Sequence, residues 1–461
     1  MLLTRLYGRT NNASAGHQEA TSVRHPRERR NGYSRREFLR NSLGAAVALP
    51  SAAAILAACS KPGTSGSNGD VSAVGTGGLD LGGPYPIATK DAPVEWTIYD
   101  DLQPIEDGMR PEEGATLQIY NWDQYIWKKQ VEKFCEKYNC DYKITTFQNM
   151  DEALTKIRQG ELDADVFFPT TDTFGKLIYA KLLQPLNHSY LTHLEENVWP
   201  QLHSPYYDQG SRYSVPYVVY TTGIAYARDV IPDDEIWGMS NPYDILWDPA
   251  HRGRSGVYDS YRDTMGEVLL RNGITNVNTD DQADIDIVER DLLDLIDEVD
   301  VRFTINGAYK LLPENQFDVH MSWSGDIVAG WFYTADGRKK EDLGFWYPED
   351  RKGLIGNDTM AIPTSSQNPV LAHLFLNFML SEPIALDNFA WVGYQPPQNG
   401  ADPSSLTTTN SVWGEPYVFP WMDAAVVRKD DFDTGYLQWE LTPDVDDMWH
   451  DAWQNFRAGA S

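Results

Sequence analysis

The stretch from Thr116 to Leu182 opens with T-L-Q-I-Y (Thr116–Tyr120) and V-E-K-F-C-E-K-Y (Val131–Tyr138), then D-Y-K-I-T-T-F (Asp141–Phe147). D-E-A-L-T-K-I-R-Q (Asp151–Gln159), D-A-D-V-F-F (Asp163–Phe168) and T-F-G-K-L-I-Y-A-K-L (Thr173–Leu182) follow. The first, third and fifth segments are short, apolar and β-like. The second places Val131, Phe134, Cys135 and Tyr138 at i, i+3, i+4 and i+7, one face of a helix. The fourth and sixth are also helical. A βαβαβα rhythm of this kind predicts an α/β fold with a parallel sheet covered on both faces.

Further along, Asp284–Val299 predicts a helix with Ile287, Leu292, Leu295 and Ile296 inward and its acids outward. Phe317–Trp323 and Asp358–Pro363 read as strands, Pro369–Leu380 and Val445–Phe456 as amphipathic helices. Cys135 and Cys140 lie at a helix end and a strand start. In an exported protein they can form a disulfide if the chain turns sharply at Asn139. A buried Cys135 thiol on the helix's apolar face accounts for the pattern equally well.

The chain has 461 residues, long enough for two or three domains. Hydrophobic residues make up 41% and charged residues 23%, which places it among folded soluble proteins. Acids outnumber Lys and Arg by 67 to 38, a net charge of −29. That balance excludes nucleic acid as a partner and favours cationic ones. Three cysteines are too few for a disulfide-built scaffold.

Charge is divided unevenly. Residues 1–58 carry nine Arg, no Lys and three acids (Glu19, Glu28, Glu37), a net +6, which leaves −35 for the remainder. Ser34-Arg35-Arg36-Glu37-Phe38-Leu39 precedes an apolar, Ala-rich run from Leu43 to Ala58. A charged region before an apolar run of this length is an export signal rather than a spanning helix. The arginine pair resembles the twin-arginine signal, whose cargo crosses the membrane folded. Leu56-Ala57-Ala58-Cys59 resembles a bacterial lipobox, with Cys59 lipidated as the mature N-terminus. The Gly- and Ser-rich stretch from Ser60 to Gly83 is a flexible tether. The expected organisation is therefore a signal peptide over 1–58 and a tether and N-terminal extension over 59–114, with the protein held by lipid in the periplasm or at the outer face of the cell membrane.

Catalytic signatures are absent: no G-x-S-x-G, no phosphate-binding G-x-x-x-x-G-K-[ST], no H-E-x-x-H. The nine histidines are scattered, and His188 and His193 share neither a helix face nor a strand face. No cofactor and no metal site is expected, and the chain is not expected to be an enzyme.

Six motifs occur in order between about Thr116 and Gly459. They are Y-N-W-D-Q-Y (Tyr120–Tyr125), D-V-F-F-P-T-T (Asp165–Thr171), Y-S-V-P-Y (Tyr213–Tyr217), L-W-D-P-A-H-R-G (Leu246–Gly253), A-I-P (Ala361–Pro363) and G-Y-Q-P-P (Gly393–Pro397). Together they resemble the spermidine/putrescine-binding proteins, the polyamine receptors of ABC importers. The resemblance implies a two-lobed type II periplasmic-binding-protein fold. Lobe 1 would comprise 115–221 and 356–396, and lobe 2 would comprise 222–355 and 397–461. It also implies a monomeric receptor that captures a polyamine or similar small cation between the lobes and delivers it to a membrane permease.

A polyamine is a flexible chain of ammonium groups separated by methylenes, so its site needs spaced carboxylates and flat aromatic walls. Each cation–π contact contributes about 0.5–2 kcal/mol. Micromolar capture needs only about −8 kcal/mol net. By the resemblance, Trp122, Tyr125, Trp323 and Tyr394 line the cleft and Asp358 supplies a carboxylate. A segment of the second lobe supplies Asp259 and Asp263. Asp123, Asp172 and Asp326 are added acids at or near cleft positions, and Gln438 or Trp439 is a further candidate. Two departures stand out: Ser260 replaces an acid, and Gly356 replaces a cleft Trp, so that one aromatic wall is missing. Duller roles exist for several of these residues. Trp122 and Tyr125 can be core aromatics, and Asp123 and Asp263 can each cap the helix that follows.

Two other functions compete. One is the same receptor fold holding an amino-acid-derived cation, a sugar or a metal. The other is an exported hydrolase, which in the retaining glycosidase form would need two carboxyl groups about 5 Å apart.

Overall fold

The computed structural model describes residues 85–160, 163–401 and 421–459. The signal region, Cys59 and the tether to residue 84 lie outside the described residues.

The opening segments fold as their periodicity predicts. Strand β1 (Thr116–Trp122) leads to helix α1 (Lys128–Tyr138), which buries Gln130, Val131, Phe134 and Cys135. The helix stops at Asn139, whose left-handed backbone (φ 51°) turns its N–H back onto the Cys135 carbonyl. Strand β2 (Asp141–Phe147) then pairs parallel to β1, Thr116 opposite Asp141. Helix α2 (Met150–Arg158) begins where the Asn149 side chain accepts the Glu152 N–H. Strand β3 (Val166–Phe167) lies parallel to β1 on its other side, before helix α3 (Phe174–Tyr179).

The wholly parallel sheet is corrected by the next element. Strand β4 (Ser214–Ala227) is fourteen residues long and runs antiparallel to three partners. Its first part pairs with β9 (Leu354–Ala361), and its last part with β7 (Val319–Trp323) and β8 (Leu343–Trp346). Pro216, which cannot donate to a ladder, sits beside a register shift between Pro216 and Val218. Strands β5 (Ser255–Tyr258) and β6 (Arg302–Thr304) restore parallel pairing beyond β7. The resulting order is β2-β1-β3-β9-β4-β7-β5-β6, with β10 (Tyr436–Leu437) beside β9. The sheet is mixed because one long strand serves both halves.

Helices α4 (Tyr261–Arg271) and α5 (Gln282–Val299) cover the second half. The buried face of α5 is Ile285, Val288, Leu292, Leu295 and Val299, while Ile287 and Ile296 are only partly covered. Helices α6 (Ser324–Gly330), α7 (Pro369–Met379), α8 (Glu382–Val392) and α9 (Pro443–Gly459) complete the frame.

Two main cores result. Leu117, Phe134, Phe168, Val218, Leu371 and Phe375 belong to the first, and Val257, Met265, Leu292, Val319, Trp449 and Phe456 to the second. Each such side chain contributes about 1.5–3 kcal/mol on burial. Val427, Phe432 and Leu437 join the first core and Trp449, Trp453 and Phe456 the second, so the final segment serves both. Trp323 packs against both cores.

Residues 85–114 are bound to the body. The indole of Trp96 donates to the Tyr207 carbonyl at 2.7 Å. The Glu112 carboxylate accepts the Val370 and Leu371 N–H groups at 3.1 and 2.8 Å, capping α7 where Asn368 makes no side-chain cap. The Tyr85 hydroxyl donates to Glu440. Beside it the half-buried Lys176 ammonium of α3 lies 3.2 Å from Asp446 of α9, an ion pair between a helix of the second core and one whose Phe174, Leu177 and Ile178 belong to a third, smaller core.

Candidate functional site

Trp323 ends β7 at the point where both cores meet, and an aromatic box is built around it. Its ring stacks on Tyr258 with centroids 3.8 Å apart and planes 15° from parallel. Tyr220 meets Trp323 edge-on at 6.3 Å and Tyr394 at 6.2 Å. Tyr394 meets Tyr125 at 4.8 Å. The circuit closes through Asp326, whose two oxygens accept the hydroxyls of Tyr258 and Tyr394 at 2.7 and 2.8 Å. Such edge-to-face pairs contribute about 0.5–1.5 kcal/mol each beyond burial.

Two carboxylates flank the box. Asp358, on β9, accepts the Tyr125 hydroxyl at 2.6 Å through Oδ2, while its buried Oδ1 accepts nothing among the described residues. Burial drives its pKa up to about 7, opposed by the Tyr125 bond and reinforced by the charges of Asp172 and Asp263. Asp263, on α4, accepts the Trp323 indole N–H at 2.9 Å and the Ser260 hydroxyl at 2.7 Å. Its pKa is likewise raised by burial, with the charge of Asp172 adding to the effect. Asp172 is half-buried beside β9, where Thr170 bridges to the Asp358 backbone. The acids are therefore spread around the box. Among the described residues, no group of three or more His, Cys, Asp or Glu is placed to hold a metal ion.

The loop carrying Tyr125 is held from below. Tyr217 donates to the Tyr125 carbonyl and accepts from Asn388, which also takes the Trp127 N–H at 2.9 Å. This buried lattice fixes the phenol that reaches Asp358.

The residues singled out from the sequence divide into two groups. Tyr125, Asp358, Tyr394, Asp326, Trp323 and Asp263 form one connected cluster, with Asp172 acting on it through its charge. Asp326 is buried with both oxygens taken by tyrosines, which makes it a brace for the two rings. Asp326 is pushed up to about 6 by burial, against those two hydrogen bonds.

The others stand apart. Trp122 is half-buried against Phe147 and donates to the Phe168 carbonyl at 3.2 Å. Asp123 is exposed, and it is not a helix cap: Trp127 holds that position for α1. Asp259 pairs with Arg457 of α9 at 3.3 Å. Asp263 is not the cap of α4 either, because Ser260 occupies that place and Asp263 stands three residues on.

Tyr220 and Tyr258 were not singled out from the sequence. Tyr220 lies directly across from Gly356 in the β4/β9 ladder, and a Cβ at Gly356 would sit 2.9 Å from its ring. The Tyr220 ring, from the facing strand, therefore fills the space a side chain at Gly356 would take. The usable signal was the unbroken run V-P-Y-V-V-Y-T-T-G-I-A-Y-A, which reads as a buried strand next to a recognised motif.

Residues 129–412 match the family model described as bacterial extracellular solute-binding protein. The chain is 24% identical over 310 residues to spermidine/putrescine-binding periplasmic protein 1 of Haemophilus influenzae, covering 67% of this chain and 81% of that one. It is 26% identical over 269 residues to a putrescine/cadaverine-binding protein of Pseudomonas aeruginosa, covering 57% and 74%. A spermidine/putrescine ABC transporter substrate-binding protein from Streptococcus pneumoniae shares the fold with a TM-score of 0.59 at 22% identity, over 75% of this chain and 100% of that one.

Proposed function

This chain belongs to the family of bacterial extracellular solute-binding proteins, and from that premise we propose that it captures a polyamine between its two lobes and hands it to an ABC permease. A shared fold does not choose a ligand, so the choice rests on the site. The observation that carries it is the pair Asp358 and Asp263 flanking a box of four tyrosines and a tryptophan, with Asp358 Oδ1 buried and unpaired. A buried carboxylate oxygen without a donor costs roughly 1–3 kcal/mol or more. An ammonium removes that cost, while the rings cover the methylenes through cation–π and apolar contact. The relatives described as binding putrescine, cadaverine or spermidine agree with this chemistry.

On this view the protein performs no chemistry of its own. It leaves the cytoplasm by the twin-arginine route, stays attached to the membrane through a lipid on Cys59 and acts as a monomer.

The test is calorimetric titration of the purified protein after bound ligand has been stripped. The panel is putrescine, cadaverine, spermidine, arginine and a neutral sugar. Saturable binding of an aliphatic amine, weakened by Asp358→Asn, is the expected result. Binding of arginine or the sugar with silence toward every aliphatic amine overturns the polyamine assignment.

A further inference from the structure

The sulfurs of Cys135 and Cys140 lie 2.8 Å apart, inside the van der Waals contact of two sulfur atoms, and both cysteines are free thiols. The approach is imposed by backbone. Asn139 takes a left-handed turn at φ 51°, and the Cys140 N–H bonds to the Cys135 carbonyl at 3.1 Å. That turn swings the first residue before β2 under the last turn of α1. Cys135 is buried on the α1 face that meets Phe134 and the first core, while Cys140 is half-buried and open on one side.

We propose that Cys135 and Cys140 are a disulfide in the mature protein, formed by exchange with the oxidised dithiol of a disulfide carrier outside the cytoplasm. The more open Cys140 loses its proton and attacks one carrier sulfur, releasing the other as a thiol. Cys135 then loses its proton and attacks Cys140, and the carrier leaves with both protons and both electrons. Two protein thiols and one carrier disulfide become one protein disulfide and two carrier thiols. Burial pushes both thiols up, so little thiolate is present at neutral pH and unassisted air oxidation is slow. The exchange needs no refolding, because the folded backbone already holds the sulfurs together.

The bond has a mechanical role at this place. In the sheet order of the described residues β2 is an outer strand, paired with β1 alone, and outer strands are where a sheet frays. A bond between α1 and the start of β2 clips that edge to the helix lying over it. The clip is independent of which solute the cleft takes.

Intact cells are quenched in acid, alkylated under denaturing conditions and digested, so that the peptide holding both cysteines can be weighed before and after reduction. The expected peptide is unalkylated, lighter than the dithiol form by two hydrogen atoms, and takes two alkyl groups only after reduction. Full alkylation without reduction in the exported protein overturns the proposal. A second measurement compares melting with and without reductant for the wild type and for Cys135→Ser/Cys140→Ser. Reductant lowers the wild-type melting temperature and leaves the double variant unmoved. A wild type that melts identically in both conditions overturns the clip.

Discussion

At the scale of single residues, the polyamine reading makes Asp358 the group on which affinity and its pH dependence should turn. Its carboxyl, raised to about 7, is partly protonated in the empty protein at neutral pH. An ammonium prefers the ionised form, so capture expels a proton and affinity rises as pH increases from about 5 to 8. Titration in buffers of different ionisation enthalpy measures that proton. Asp358→Asn should cost about 2 kcal/mol or more of binding and flatten the pH profile. Stability of the empty fold has the opposite sign. A carboxyl whose pKa is raised on folding contributes stability in full below its ordinary value, and that stability is lost as pH rises through about 7. The wild type should therefore lose stability between about pH 5 and 8 relative to Asp358→Asn, as denaturant midpoints will report.

Tyr220 is the other residue to change. Tyr220→Ala removes one wall of the box and should weaken amine binding by roughly 1–2 kcal/mol in calorimetry. Gly356→Trp alone drives its Cβ to within 2.9 Å of the Tyr220 ring and should abolish binding or folding. Combining it with Tyr220→Gly moves the aromatic to the facing strand and should restore binding in the same assay. Neither sequence position reveals this pairing by itself. It depends on cross-strand register, which two distant segments settle only when they meet.

At the scale of elements, the order from β1 to α3 was legible because short apolar β-like runs alternate with segments of helical character, α1 showing the helical period in Val131, Phe134, Cys135 and Tyr138. Strand β4 lacked such a signature. Nearly all of its residues are buried, so neither face alternates with solvent, and its sense relative to β9 is a tertiary choice. The inward face of α5 was misassigned at Ile287 and Ile296 because apolar residues outnumber the places one packing surface can cover. The pairing of Asp259 with Arg457 was not legible, because Arg457 belongs to the last helix. The cap of α7 was hidden for the same reason, since Glu112 reaches it from the N-terminal extension. Glu112→Ala should lower stability by about 1 kcal/mol through loss of that cap, with amine affinity unchanged. A shifted denaturant midpoint at constant slope is the readout.

At the scale of the molecule, the halves are held together by more than β4. Lys176 of α3 pairs with Asp446 of α9 in a nearly dry setting, its side chain 12% exposed. Opposing burial, Asp446 and then Glu440 keep the ammonium charged, with its pKa above the ordinary value. Lys176→Met would strand two buried carboxylates and should destabilise the protein by about 3–5 kcal/mol, seen as a large fall in melting temperature. The overall α/β class was readable from the alternation of strand-like and helical segments. This tie was not, because it joins residues with no shared local pattern.

The position of Trp323 has an optical consequence. Its indole N–H donates to Asp263 and its ring stacks on Tyr258 where the two cores meet. Indole emission follows the electric field along the ring. A cation that neutralises Asp263 therefore shifts the colour of that one fluorophore, and Trp323→Phe identifies the signal among the fifteen tryptophans of the chain. On the proposed reading the protein carries its own dye, and each capture event should be reported as light.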